Sequence, residues 1–271
     1  MIAFAYYGAK NRLLNQLLQY LPACDHYSEP FCGSAAVILN RPAAPIESIN
    51  DINGDIVNFF KVLRDRPDCL VSKLLLTPYA YEEFRQAWLP IEDEIERARR
   101  FYIRTQMDVA KACALKDKSW SVNKKFVAGG HSYCVKNFHH KIPGLMDVAN
   151  RLKNVQIDNR SAIDHIKKFD TKETLFYCDP PYLPDTRKSA NDYKFEMDVD
   201  DHYQLAVVLN GIKGRAAISG YDSPLMGEFY QGWIKVKFKS AQVPMSRGSG
   251  LVRQECLWLN YKPSIQTELF S

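Results

Sequence analysis

No stretch of this sequence is apolar for long enough to cross a bilayer. The best run, Ala35-Ala36-Val37-Ile38-Leu39, falls far below the roughly twenty residues a spanning helix needs. The seven cysteines (Cys24, Cys32, Cys69, Cys113, Cys134, Cys178 and Cys256) include no C-x-x-C pair. That argues against a zinc site or a disulfide frame, and for reduced thiols that mostly fill the core. A dinucleotide fingerprint needs G-x-G-x-x-G, and only Gly33 is present at the relevant turn; a phosphate loop needs Gly-Lys-Ser/Thr, which Gly8-Ala9-Lys10-Asn11 lacks. Internal repeats and low-complexity segments are absent too. Lys10 and Arg12 lie in an amphipathic pattern without the apolar core and small-residue cleavage site of a secretory leader, so none is expected.

What is present is ordinary in bulk. A chain of 271 residues and 31.1 kDa, 46% hydrophobic and 25% charged, suits one large α/β domain with a sizeable insertion. A net charge of +5 and a pI near 8.7 favour a polyanionic partner only slightly.

The pattern along the chain says more. Leu14, Leu17, Leu18 and Leu21 recur at helical spacing up to Pro22. Residues 26–31 read as a strand running into the loop Cys32-Gly33-Ser34, with a helix expected over 35–40. A second strand spans 46–51, and Asn53 can cap a helix whose Ile56, Phe59, Phe60 and Leu63 share a face. Further strands are expected over 155–159, 174–179, 216–219, 233–238 and 255–261, with helical patterns such as Leu205, Leu209 and Ile212 between them. Alternating strands and helices predict a doubly wound, mostly parallel sheet.

Residues 67–143 break the alternation. An acidic run (Glu92, Asp93, Glu94, Glu96) can pair with Arg97 and Arg100 on a helix. Arg99, Arg104, Lys111, Lys116, Lys118, Lys124, Lys125, Lys136 and Lys141 follow, interrupted only by Asp108 and Asp117. Trp120, Phe126, His131, Tyr133, Phe138, His139 and His140 lie among them. A solvated helical insertion would look like this; so would a surface that lies on phosphates and reaches toward base edges. The flanking motifs favour the second.

Tyr177-Cys178-Asp179-Pro180-Pro181-Tyr182 ends an apolar strand, where ligands bind in a doubly wound sheet. Two prolines remove two backbone donors and stiffen the turn, leaving the Asp179 carboxylate and the Pro180 carbonyl as acceptors. Such a pair suits an exocyclic amino group whose lone pair is delocalised into a ring. Accepting both hydrogens localises that lone pair, and Tyr182 offers a flat face to an extruded base. Upstream, Tyr27-Ser28-Glu29-Pro30-Phe31-Cys32-Gly33-Ser34 is a strand and glycine turn that lets backbone approach a cofactor closely. Roughly twenty residues on, Asp51 in Ser48-Ile49-Asn50-Asp51-Ile52-Asn53 can grip ribose hydroxyls.

Together these motifs resemble the Dam-type adenine-specific DNA methyltransferases of bacteria and phages. Tyr6-Tyr7-Gly8-Ala9-Lys10 is similar to that family's N-terminal aromatic-Gly-Gly-Lys motif, and Ser28 to Val37 to its cofactor loop. Asn50 to Asn53 matches the acidic strand end, Asp179 to Tyr182 the catalytic loop, and Glu255 to Tyr261 the closing strand. Ala9 and Ala35 depart from it, standing where the family often has glycine. The resemblance implies a Rossmann-like class I methyltransferase fold. The catalytic domain would comprise residues 1–66 and 144–271, with 67–143 a mainly helical target-recognition insertion. It implies S-adenosylmethionine as cofactor, double-stranded DNA as partner, no metal, and a cytoplasmic enzyme of a bacterial or phage-infected cell.

It also assigns roles. Asp179, Pro180, Pro181 and Tyr182 are expected in catalysis. Tyr6, Lys10, Asp51 and Asp179 should contact the cofactor, with Tyr7, Gly8, Glu29, Pro30, Phe31, Gly33 and Ser34 around it and Asp158-Asn159-Arg160-Ser161 near its adenine. Arg104, Lys116, Lys118, Lys124, Lys125, His139 and Arg187 are expected on DNA, and the polar stretch 185–197 as a loop closing over the flipped base. Methylation of the cytosine amino group uses similar geometry with, typically, serine at Asp179. A silent DNA-binding relative is the rival of another class, opposed by Asp179, Asp51 and Lys10. Cys178, inside an apolar strand, reads as buried filler rather than a nucleophile. His139-His140 lacks partners at metal-ligand spacing.

Overall fold

The computed structural model describes residues 1–6, 8, 10, 13–109, 118–123, 125, 127–128, 130–186, 194–238 and 254–263. Its strands are β1 His26–Glu29, β2 Ile46–Asn50, β3 Val127–Ala128, β4 His131–Ser132, β5 Val155–Asp158, β6 Thr174–Cys178, β7 Arg215–Tyr221, β8 Ile234–Lys237 and β9 Glu255–Leu259. Seven of them form one sheet in the order β5-β2-β1-β6-β7-β9-β8. Pairing is parallel from β5 to β7 and antiparallel where β9 enters between β7 and β8. This is the expected mostly parallel α/β sheet.

The central strands carry helices on both faces, so β1 and β6 are buried along their whole length. Alternate residues feed two cores. Leu175, Tyr177, Ala217 and Leu257 enter one; Phe176, Cys178, Ile218 and Trp258 enter the other. Edge strand β8 is mostly exposed and carries Lys235 and Lys237, charges that discourage further strand pairing.

The helices are α1 Leu14–Leu18, α2 Gly54–Asp65, α3 Pro67–Leu75, α4 Tyr81–Gln86, α5 Glu94–Met107, α6 Tyr133–His140, α7 Leu145–Leu152, α8 Ala162–Phe169, α9 Val199–Asn210 and α10 Pro224–Phe229. Asn53 caps α2, its side chain accepting the Asp55 N–H at 3.1 Å. Helices α5 and α7 pack along α2, and α3 packs on both. Phe4, Phe59, Phe60 and Phe101 meet with ring centroids 5.0–5.5 Å apart where Phe4 is a partner. Helices α3 to α7 therefore close one of the two cores that the sheet feeds, together with Tyr27, Ile49 and Leu175. Among the described residues no helix is long and apolar enough to cross a membrane.

One expectation fails. Residues 35–40 form a chain of turns, not a helix. Ala35 has φ +54°, a left-handed conformation that breaks helical continuity and that an L side chain adopts at a cost of about 1–2 kcal/mol.

Candidate active site

The sheet's order reverses beside β1: the chain leaves β1 for β2 on one side, whereas β6 lies on the other. The carboxyl ends there splay apart and leave a crevice. A cavity of about 340 Å³ fills it, lined by Tyr6, Gly8 and Lys10, by Glu29, Phe31, Gly33 and Ser34 after β1, and by Asp51 after β2. Asp179 and Pro181 after β6 complete the opposite wall.

The loops around it are tied by side chains. Buried Asn50 donates to the carbonyls of Pro30 (2.9 Å) and Arg160 (3.1 Å) and accepts the Arg160 N–H (2.9 Å), joining the ends of β1, β2 and β5. Asp51 accepts the N–H of Gly33 and of Asn53, each at 2.9 Å. Gly33 has φ +47°, the left-handed region that favours glycine, so the turn calls for this residue, and it packs beside the Tyr6 ring. Burial raises the Asp51 carboxyl to about 6, against the two N–H donors that favour its charged form. Glu29, 2% exposed and accepting the Tyr27 hydroxyl at 3.0 Å, is raised to about 8 by burial.

At the other wall, the Lys10 ammonium binds Asp179 Oδ1 at 2.9 Å and lies 4.7 Å from the centre of the Tyr182 ring. Burial works against the charge on Lys10, but Asp179, Tyr177 and Glu255 outweigh it and hold the ammonium above its ordinary range. Burial raises Asp179 in turn, and Lys10 opposes that rise. The Tyr182 hydroxyl donates to Glu255 at 3.4 Å, and its ring meets Tyr221 edge-on at 4.7 Å. Asp179 thus already accepts an N–H donor beside an aromatic face.

Several expected residues lie elsewhere. Asp158 and Asn159 do not line the cavity; Ser161, Ala162 and Ile163 do. Asp158 is engaged by Arg160 (2.6 Å) and by His165, whose other ring nitrogen meets Ser28 at 2.9 Å. Asn159 donates to the Asp51 carbonyl at 2.7 Å. Pro30 and Pro180 lie outside the lining, and Tyr182 is covered by its neighbours to 6% exposure. Tyr7, Lys116, Lys124 and Arg187 fall outside the described residues.

Of the residues expected on DNA, Lys118 and Lys125 are exposed and His139 is partly so. The Arg104 guanidinium instead turns onto Asp55 at 3.1 Å, a carboxylate that also takes Arg97 (2.8 Å) and Lys194 (3.2 Å). Lys194 fastens the end of the 185–197 stretch to α2, and Phe195, Glu196 and Met197 then line the cavity. Sequence reading missed Leu205 and Ile163 as cavity walls, because apolar residues at helical spacing read as core; Phe195 and Met197 fell within the polar stretch expected to close over the base and were not singled out as walls of this cavity.

Comparison with known proteins gives a consistent picture. The family described as D12 class N6 adenine-specific DNA methyltransferase matches residues 6–244. The chain is 24% identical to a type II methyltransferase of Lactococcus lactis subsp. cremoris, over 89% of this chain and 88% of that one. It is 24% identical to a DNA adenine methylase of Salmonella typhi, over 96% and 95%. A DNA N-6-adenine-methyltransferase of Escherichia phage P1 is 26% identical over 84% of this chain but only 30% of its own length.

Proposed function

Since the chain belongs to the D12 class of N6 adenine-specific DNA methyltransferases, we propose that it uses S-adenosylmethionine, held in the cavity between β1, β2 and β6. The cavity's donor set suits that molecule: carboxylates for a cationic ligand with hydroxyls, and Tyr6, Phe31 and Phe195 for its apolar and flat parts. Asp51 would hold the ribose, Phe31 and Gly33 would wall the methionine end, and Ser161 to Ile163 would flank the adenine. When bound, S-adenosylmethionine supplies a methyl carbon made electrophilic by the sulfonium.

This chain's own residues prepare the acceptor. Asp179 and the Pro180 carbonyl accept hydrogen bonds from the two N–H groups of the target amino group, localising its lone pair on nitrogen; once that nitrogen carries the methyl group, one proton leaves it to solvent. Tyr182 stacks on the extruded adenine. Lys10, seated on both Asp179 and Tyr182, moves aside as the base arrives and keeps the carboxylate ionised until then. Lys118, Lys125 and His139 lie toward the phosphates, residues 67–143 read the target, and the enzyme works in the cytoplasm of a bacterial or phage-infected cell.

The observation that carries this reading is the Lys10–Asp179 contact at 2.9 Å, an N–H donor on the carboxylate that walls the cavity shared with Asp51. The test is Asp179→Ala. Methyl transfer to DNA should disappear while DNA binding persists, with N6-methyladenine the wild-type product by mass spectrometry. Near-normal turnover of the variant would remove Asp179 from the chemistry.

A further inference from the structure

Pro180 and Pro181 carry no N–H, so the catalytic loop has no backbone donors of its own there to brace it, and its carbonyls are the backbone groups left by which the rest of the protein can hold it. The Pro181 carbonyl is met by His202 Nε2 at 2.9 Å. A carbonyl only accepts, so this imidazole nitrogen carries a proton. His202 is 1% exposed and sits in the first turns of α9. A capping box fixes the start of that helix: the Asp198 side chain accepts the Asp201 N–H at 2.9 Å, and the Asp201 side chain accepts the Asp198 N–H at 3.0 Å. The donor therefore stands on a rigid element, with Asp201, its neighbour, lining the cavity.

The Pro181 carbonyl belongs to the peptide plane that leads into Tyr182. Fixing that oxygen fixes the plane, and so the direction in which the loop delivers the Tyr182 ring and, through Pro181, the Pro180 carbonyl. We propose that His202 is a positioning residue for methyl transfer: its Nε2–H holds the second proline's carbonyl so that Asp179, Pro180 and Tyr182 face the target base together. The inference rests on the assignment of Asp179 and Pro180 as acceptors of the amino group. Misplacement of reacting groups by about 1 Å can slow an enzyme about 100-fold, which makes a distant anchor worth having.

Three substitutions of His202 separate donation from packing. Glutamine puts an amide N–H near the Nε2 position, asparagine places it near Nδ1 and out of reach, and leucine has none. His202→Gln should recover turnover to within about threefold of wild type, whereas His202→Asn and His202→Leu should lose about 10- to 100-fold in kcat. Cofactor Kd by calorimetry should stay unchanged in all three. With 2-aminopurine at the target position, the fluorescence rise on flipping should persist but respond less to acrylamide quenching in glutamine than in asparagine, whose loop holds the base loosely. Asparagine and glutamine performing alike, fast or slow, overturns the proposal. So does cofactor affinity falling in step with kcat, which would mark a general loss of structure. If His202→Leu does not fold, the asparagine–glutamine comparison decides alone. Asp179→Ala, run in parallel, keeps the two ideas apart: activity there sinks the acceptor assignment and the anchor with it, whereas an inactive Asp179→Ala beside a failed His202 series sinks the anchor alone.

Discussion

The cavity and the helical segment from 67 to 143 are both rich in charge, but they use it in opposite ways. In the cavity, apart from Asp179 with its Lys10 partner, buried carboxylates meet neutral donors: Glu29 takes the Tyr27 hydroxyl and Asp51 takes two backbone N–H groups. Burial then raises them, to about 8 and about 6. In the helical segment, arginines and carboxylates are matched to each other. Arg99 bridges Glu83 and Glu96 at 2.7 Å each, and Arg100 meets Glu96 at 3.0 Å. Arg99 holds Glu96 below its ordinary range. Burial works against the charge on Asp55, but Arg104, Arg97 and Lys194 outweigh it and hold that carboxyl low as well. A carboxylate pushed up by burial at a cavity wall, as Asp51 is, has no charged partner within the protein to hold it ionised. A carboxylate pulled down by arginine already has its partner, and so does the arginine. Charge counted along the sequence therefore overstates the surface offered to nucleic acid.

The largest expected effect breaks the cavity side of this contrast. Asp51→Ala removes the acceptor proposed for the ribose and frees the Gly33 and Asn53 N–H groups, so cofactor Kd should rise about 100-fold by calorimetry. Binding that stays near wild type would show that Asp51 serves the loop alone. The same carboxylate gives wild-type binding a pH signature. Ribose hydroxyls need the ionised form, and burial makes Asp51 protonate as pH falls through about 6. Affinity should therefore drop below pH 6 with proton uptake opposing binding, where an ordinary aspartate would hold until about pH 4.

A middle-sized effect tests the helical side. Arg104 and Asp55 are 15% and 12% exposed, so their contact lies between a surface pair and a buried one. Arg104→Ala should cost about 2 kcal/mol of stability in a denaturant titration and leave DNA affinity nearly intact. If DNA binding collapses while stability holds, Arg104 leaves Asp55 for a phosphate in the complex, and the matched-charge view of this region is wrong.

How much of this was legible in the sequence follows the same division. The central strands were readable within a residue or two at each end: β6 because a strand buried on both faces runs apolar between turns, β1 and β2 from the turns and motif residues that bound them, despite the buried polar side chains of His26, Ser28, Glu29, Glu47, Ser48 and Asn50. That Asp179, Asp51, Gly33 and Lys10 would share one cavity was readable, the first three because they follow strand ends in a doubly wound sheet and Lys10 because it belongs to the N-terminal motif with Tyr6 and Gly8. The turns over 35–40 were not. Ala36 to Leu39 is as apolar as a buried helix, and the one sign that Ala35 is left-handed was that it stands where the resembled family often has glycine. The fate of Arg104 was hidden for another reason: its partner, Asp55, is 49 residues away and meets it only once α5 lies along α2. His202 was invisible too, since a histidine in a helical pattern carries no mark of the proline carbonyl 21 residues earlier.

The smallest effect is the one that most sharpens the contrast, because it uses a cation beside Arg104 that behaves differently. Arg104 and Lys118 both lie over the Trp88 ring, at 5.6 and 4.8 Å from its centre. The guanidinium continues inward to Asp55, whereas Lys118 is exposed. A lysine that rests on an aromatic face gives up little hydration and remains able to meet a phosphate. Lys118→Ala should weaken DNA binding about threefold at moderate salt and reduce the slope of log K against log salt by about 0.9, with every DNA sequence affected alike. Methyl transfer at saturating DNA should be unchanged. A salt slope identical to wild type would mean that Lys118 touches no phosphate, and the segment's exposed lysines would then be solvated charge, as its arginines are matched charge.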